Sequence, residues 1–177
     1  GRLADTAPFN WSGTEHELAA NIEQTIARMG GHGLSGDELE DLQAYLLQLE
    51  PPPNPHIAAD GQLTADQELG RTVFSEAGCS SCHAGEALTN GAAYDIGTST
   101  VIDHQIFYNL VTLHGLDLPD PDSLDTPSLR GLHHTAPYLH TGSVETLYEL
   151  LLTVKMGSAT ELSDGERGAL VAYLLTL

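Results

Sequence analysis

Apolar residues recur at helical spacing through much of the chain, and polar capping patterns separate the runs. Between residues 15 and 29 they fall at Leu18, Ile22, Ile26 and Met29, about one turn apart. Ser35, with Glu38 three residues on, has the form of a capping box, which predicts a second helix through Leu39, Leu42, Leu46 and Leu49. Pro51, Pro52, Pro53 and Pro55 forbid helix and predict a stiff, extended linker. Thr64 and Gln67 repeat the capping pattern before Leu69, Val73 and Phe74, and Gly78 is the expected stop. Residues 84–103, rich in Gly, Asn, Ser and Thr, read as loop, as does the stretch holding Asp117, Pro119, Asp120, Pro121, Asp122 and Asp125. Leu147–Val154 predicts a further helix, and Ser163 with Glu166 caps a last one running to Leu177. Period-2 alternation is never sustained. The expected fold is therefore mainly α, with no sheet beyond a short hairpin.

The chain also repeats itself. Thr6-Ala7-Pro8-Phe9 recurs as Thr135-Ala136-Pro137-Tyr138, an offset of 129 residues, and Gly13 and Leu18 recur at that offset as Gly142 and Leu147. Arg28-Met29-Gly30 recurs as Lys155-Met156-Gly157, and residues 34–49 align with 162–177 without a gap. Two capped amphipathic helices would share leucines by chance. They would not share an ordered series of TAP, Gly, Met-Gly and capped helix at near-constant offset, so a duplication is expected. Residues 1–55 are then the C-terminal part of a truncated first domain plus a Pro-rich linker, whose front half would lie upstream of Gly1, and 60–177 form one complete unit.

Charge narrows the function classes. Six Lys+Arg against 25 Asp+Glu give a net charge of −19. So few scattered cations cannot track a phosphate backbone, which excludes nucleic-acid binding, and an anionic membrane surface would repel the chain. No apolar run approaches the roughly 18 residues that a spanning helix needs. The acidity suits a solvated surface, and it also suits a surface that steers a basic partner protein.

The chemistry gathers at Cys79-Ser80-Ser81-Cys82-His83. C-x-x-C-H is the attachment signature of c-type haem: two thiols on one turn reach the two porphyrin vinyl groups, and the adjacent imidazole binds the iron. A Cys79–Cys82 disulfide would close a very short loop and stabilise little. A thioredoxin-type pair needs a βαβ setting that is not visible here, and a zinc site needs a second ligand pair. For the sixth ligand, Met156 lies in a glycine-flanked stretch after a helix, and Met29 is its counterpart in the first repeat. His140 is the alternative and has Trp11 in its place in the first repeat; His133 and His134 are weaker candidates. His16, His32, His56, His104 and His114 read as surface or loop residues. Arg130, one of few cations, suits either a haem propionate or a surface ion pair.

Gly70-Arg71-Thr72-Val73-Phe74, Cys79–His83, Thr126-Pro127-Ser128-Leu129-Arg130, Ala136-Pro137-Tyr138-Leu139-His140-Thr141-Gly142 and Thr146-Leu147 together resemble the bacterial di-haem cytochrome c peroxidase family, from Gly61 to Leu177. Residues 1–55 resemble the tail of that family's first haem domain. The resemblance implies a cytochrome-c-like helical haem domain preceded by a partial repeat of the same domain, and a haem c attached at Cys79 and Cys82. It further implies a calcium ion held partly by backbone carbonyls at the turn of Thr135 and Pro137, and a periplasmic or exported protein. The family's distal methionine or tyrosine would align nearer Val154 than Met156, so this chain has either a two-residue shift or a different sixth ligand. The peroxide-cleaving haem and its acid/base glutamate belong to a part of the first domain that these residues do not include.

The expected function is a single covalent haem, ligated by His83 and Met156, serving electron transfer. The alternatives are part of an active di-haem peroxidase and a haem domain that binds a small ligand at an open sixth position. Expected partners are a redox protein, suited by a basic surface, and the missing first haem domain or another haem subunit.

Overall fold

The computed structural model describes residues 3, 5–115 and 118–177, apart from the side chain of His114. The expected surface position of His114 and the loop assignment of Asp117 therefore lie outside the described residues. Among these residues the elements run α1 (Leu18–Arg28), α2 (Gly36–Gln48), α3 (Ala65–Glu76), β1 (Ala93–Tyr94), α4 (Val101–His114), β2 (Leu124–Asp125), α5 (Leu147–Thr153) and α6 (Asp164–Leu174). Short 3-10 turns sit at Cys79–Ser81, Leu132–His134 and Ala159–Glu161. The fold is mainly helical.

The capping signals act as written. Ser35, Thr64 and Ser163 each accept from the backbone three residues on, and Glu38, Gln67 and Glu166 return the bond, so reciprocal boxes start α2, α3 and α6. Gly78 at φ 83° follows α3 and turns the chain into Cys79.

The core is built where α3 lies across α6. Val73, Phe74, Leu129, Leu147, Leu151, Ala159, Leu170 and Leu174 form one buried cluster, and the Phe74 and Tyr173 rings meet edge-on at 5.6 Å. Gly70 makes the crossing possible, because a Cβ there would run into the Ala169 carbonyl and sit 2.7 Å from Tyr173 Cβ. Arg167 is buried beside this seam, held by Asp164 at 3.1 Å and the Leu162 carbonyl at 2.7 Å, with its guanidinium over the Tyr148 ring.

The two matched turns have the same backbone. Phe9 N–H bonds Glu15 O at 2.6 Å, and Tyr138 N–H bonds Val144 O at 2.7 Å. Asn10 and Leu139 both take positive φ, 69° and 68°, as do Gly13 and Gly142, and both Ala-Pro bonds are cis. Their helices are covered differently. Leu170 and Leu174 of α6 are buried against α3, whereas the aligned Leu42 and Leu46 of α2 are only half-buried, and no residue of α2 is fully buried. Met29 is 81% exposed.

The loop reading of residues 84–103 fails at its end. Thr100 caps α4, accepting from Asp103 N–H at 3.2 Å while the Asp103 carboxylate accepts from Thr100, so Val101–Asp103 are helix. The sequence hid α4 because the apolar residues of Val-Ile-Asp-His-Gln-Ile-Phe-Tyr-Asn-Leu-Val-Thr-Leu are spread around the helix rather than gathered on one face, which leaves no stripe to detect. Smaller differences are the start of α1 at Leu18 rather than residue 15 and the end of α6 at Leu174 rather than Leu177.

Gly70→Ala should lower stability by about 3 kcal/mol, because the backbone of α6 must move to admit the methyl group. Gly165→Ala in α6, with nothing within 4 Å of its Cβ position, should be neutral or slightly stabilising. Urea unfolding of both variants checks the pair.

Candidate haem site

Cys79 and Cys82 open and close one 3-10 turn after α3, and neither is in a disulfide. Cys82 N–H bonds Cys79 O at 3.3 Å and His83 N–H bonds the same carbonyl at 2.9 Å, which fixes the three side chains on a single turn. Burial pushes the Cys79 thiol up. His83 is half-buried, and its Nδ1 lies 3.1 Å from the Leu88 carbonyl. A carbonyl only accepts, so Nδ1 carries the proton and the neutral ring keeps its lone pair on Nε2, the form in which imidazole binds iron. Burial pulls this histidine below the ordinary imidazole value, against the Leu88 and Pro127 carbonyls, which raise it. Two free thiols on one turn and an imidazole with Nε2 left for iron fit a c-type haem.

The Thr126–Arg130 segment is laced to this turn. Thr126 N–H and Oγ1–H both donate to Ala92 O, at 3.0 and 2.7 Å, and Thr89 Oγ1–H donates to Thr126 O at 2.6 Å. Ser128 Oγ–H donates to Ala87 O at 2.7 Å, and Arg130 Nε–H to Glu86 O at 3.0 Å. Ala93 pairs with Asp125 and Tyr94 with Leu124, so β1 and β2 anchor the strap at its far end. Leu129 enters the core cluster, against which Cys79, Leu88, Leu132, Tyr138 and Met156 also pack.

Met156 is half-buried on that cluster, and the residues after it reach the attachment turn. Ser158 N–H bonds Ala77 O at 3.1 Å, and Gly157, at φ 55°, packs so closely on Ala77 that a Cβ would collide with its carbonyl. Val154, the family-aligned position, is buried and has no donor atom for iron. His140 is placed elsewhere. Its side chain is 7% exposed, Nε2 meets Asp103 Oδ2 at 3.1 Å, and Trp11 approaches it edge-on with centroids 5.9 Å apart. The Thr100 hydroxyl and His140 hold the Asp103 carboxyl down to about 2. A His133–His134 contact at 3.2 Å and a His56–His133 ring contact at 6.0 Å group three imidazoles at one place. His104 pairs with Asp122 at 3.0 Å on the surface, and His16 and His32 are exposed. Among the described residues no cluster of three or more His, Cys, Asp or Glu is arranged to hold a metal ion.

Sequence reasoning missed the Leu88 carbonyl and Asp103. Asp103 had a signal, the Thr-x-x-Asp capping pattern at Thr100. Leu88 had none, because its backbone does the work.

The family described as RoxA-like, cytochrome c-like matches residues 125–156, which carry the strap and the cis-proline turn. The hydrazine synthase subunit gamma of Kuenenia stuttgartiensis is 28% identical over 78% of this chain and 48% of its own length. The cytochrome-c peroxidase IdrP2 of Denitromonas iodatirespirans is 29% identical over 86% of this chain and 49% of its own. The methylamine utilization protein MauG of Methylorubrum extorquens is 30% identical over 68% of this chain and 37% of its own. The chain belongs to the di-haem cytochrome c peroxidase-like family. It spans about half the length of the first two of these relatives. The family fold recurs in the solved hydrazine synthase of Kuenenia stuttgartiensis, with a TM-score of 0.77 at 24% identity over 97% of this chain and 68% of that one. A MauG-like protein associated with microbial copper homeostasis gives 0.70 at 19% identity over 97% of this chain and 69% of that one.

Burial raises the Asp125 carboxyl to about 6 from 3.8, against a Thr126 backbone hydrogen bond that lowers it. The native state then binds more protons than the unfolded chain between those values, so this group stabilises the fold as pH falls from about 6 to 4 and destabilises it above. Asp103, depressed to about 2, acts oppositely: its contribution is present above about 4 and is lost as pH falls towards 2. Asp125→Asn should therefore raise stability at pH 7 by about 1 kcal/mol, after allowance for its partial exposure, and gain nothing at pH 4. Urea unfolding at the two pH values checks this.

Proposed function

We propose that the chain is a c-type cytochrome module that carries one covalently attached haem and serves electron transfer. The observation that carries the reading is the His83 ring, its proton fixed on Nδ1 by a carbonyl while two free thiols share its turn. The bound haem would supply one-electron redox chemistry at its iron. Cys79 and Cys82 would hold the porphyrin through thioethers, and His83 Nε2 would be the proximal ligand. Met156 would be the sixth, supported by its packing on the cluster that includes Cys79 and by the Ser158–Ala77 bond beside it. His140 is a weaker candidate for that place, since its Nε2 is engaged by Asp103. Arg130, whose Nε–H donates to the Glu86 carbonyl, would bring a guanidinium of the kind suited to a propionate, and the Thr135–Pro137 turn would offer carbonyls to calcium.

The half-covered Leu42 and Leu46 of α2 favour a second reading beside the first. In it, residues 1–55 are the C-terminal part of another haem domain whose own α3-like helix would lie on that face, and 60–177 are the complete domain. The chain would then act as part of a di-haem peroxidase, as the cytochrome c peroxidases among its relatives are named. The protein would work in the periplasm or outside the cell, a reading supported by haem attachment of this type and by the cytochrome c peroxidases and MauG among its relatives. No helix among the described residues is long and apolar enough to cross a membrane. A surface of charge −19 would dock a redox protein through basic residues.

Expressed with haem-attachment machinery, the protein should show a low-spin spectrum with the near-infrared band of His/Met ligation. Met156→Ala should abolish that band, lower the reduction potential and let the ferrous protein bind carbon monoxide. An unchanged spectrum in that variant contradicts the ligand assignment. A high-spin, peroxide-reactive wild type favours the peroxidase reading.

A further inference from the structure

A helix in a folded chain normally buries its apolar side chains, and α4 leaves five of them in water. Steps of about 100° per residue put Val101, Ile102, Ile106, Tyr108 and Leu113 on one continuous face. Val101 is 86% exposed, Leu113 72% and Ile102 70%, and Ile106 and Tyr108 are each more than half exposed. The residues between them, Gln105, Asn109 and Thr112, carry no charge. Asp103 is the only Asp, Glu, Lys or Arg in α4, and it is engaged by His140. Among the described residues no other helix lies along α4. Single exposed apolar residues are ordinary, but five on one uncharged helix face mark a contact surface.

The apolar surface continues beyond the helix. Ile106, Phe107 and Leu110 line an open cleft of about 610 Å³ that Trp11 and Arg28 of the first repeat line as well. Trp11 is 68% exposed, although its carbonyl accepts from Asp125 N–H at 2.7 Å and its ring stands edge-on to His140. Around this apolar centre the edge is acidic. Asp103 and Asp120 line the cleft, Asp122 pairs with His104 of α4 at 3.0 Å, and Glu15 accepts from Gln24, another lining side chain. Arg28 is the one Lys or Arg among the lining residues.

We propose that α4 and Trp11 form the docking surface for a redox protein whose contact face has an apolar centre and a lysine-rich rim. The inference rests on the electron-transfer reading above and adds where the partner sits and what it presents. An apolar centre inside a charged rim is the usual build of a protein interface, and the rim sets orientation and encounter rate. Acidic groups on this side call for basic ones on the other. A second copy is a poor match, because a two-fold contact would bring two acidic rims together with a charge of −19 behind each. The helix that the first repeat lacks is directed by the alignment with α6 to α2, and no residue of α4 joins the core cluster on the α3–α6 seam.

The test is a titration of the haem-loaded, isotope-labelled protein with a lysine-rich cytochrome c of the mitochondrial type, read by NMR shifts. Trp11 is the only tryptophan, so its indole N–H gives a single peak. The shifts should gather at Val101, Ile102, Ile106, Leu113 and that indole. Raising the ionic strength from about 0.01 to about 0.1 M should weaken binding about tenfold. Ile102→Lys should weaken low-salt binding about tenfold, whereas Tyr45→Lys, the same change of charge on the exposed face of α2, should cost less than about twofold. Equal losses in the two variants, or shifts gathered away from α4 in the wild type, overturn the inference. So does an acidic ferredoxin that binds the same surface as tightly. A wild-type dimer that Ile102→Lys dissolves overturns it in favour of a second copy. Binding is read without electron transfer, so a haem-loaded protein that ignores the probe overturns the docking surface and leaves the haem reading standing. A wild type that takes up no haem overturns both.

Discussion

One hydrogen bond organises the candidate site, from His83 Nδ1–H to the Leu88 carbonyl. It decides which nitrogen carries the proton, and so which one can meet a metal. A free histidine on a mobile turn would sample both tautomers and many orientations. Here the chain from Gly85 to Thr89 is itself held, because Ala87 and Thr89 are bonded to Ser128 and Thr126 of the strap. Strap, loop and attachment turn are thus one hydrogen-bonded unit, and its rigidity is what orients the imidazole.

That unit stands on the α3–α6 crossing. α3 delivers Cys79 through the Gly78 turn, and the close approach at Gly70 sets where α3 ends relative to α6. On the same side Gly157 abuts Ala77, so the segment carrying Met156 is registered against the attachment turn by backbone contact. Two glycines at points of backbone contact therefore place both proposed axial ligands. Neither glycine touches the chemistry. Both set its geometry.

Much of this was legible from residue types alone. Capping boxes at Ser35, Thr64 and Ser163 announced three helices, because side-chain and backbone partners three residues apart are a local code. C-x-x-C-H is a local code of the same kind, and the structure does set its two free thiols on one turn. The repeated Thr-Ala-Pro turns were visible as text and reappear as matching backbone hydrogen bonds. What stayed hidden was non-local. α4 lacks a stripe, and its Asp103 meets His140 from 37 residues away. Leu88 and Pro127 act through carbonyls, which every residue has. The half-covered face of α2 has the same leucine pattern as α6, and only the packing tells them apart.

The account stands or falls on thioether bonds at Cys79 and Cys82. Intact-protein mass spectrometry under denaturing conditions, on protein made with haem-attachment machinery, reads those bonds directly. It should give the polypeptide mass plus one haem, with the addition lost when both cysteines are replaced by serine. A mass equal to the polypeptide alone, with both thiols free or joined to each other, would contradict it.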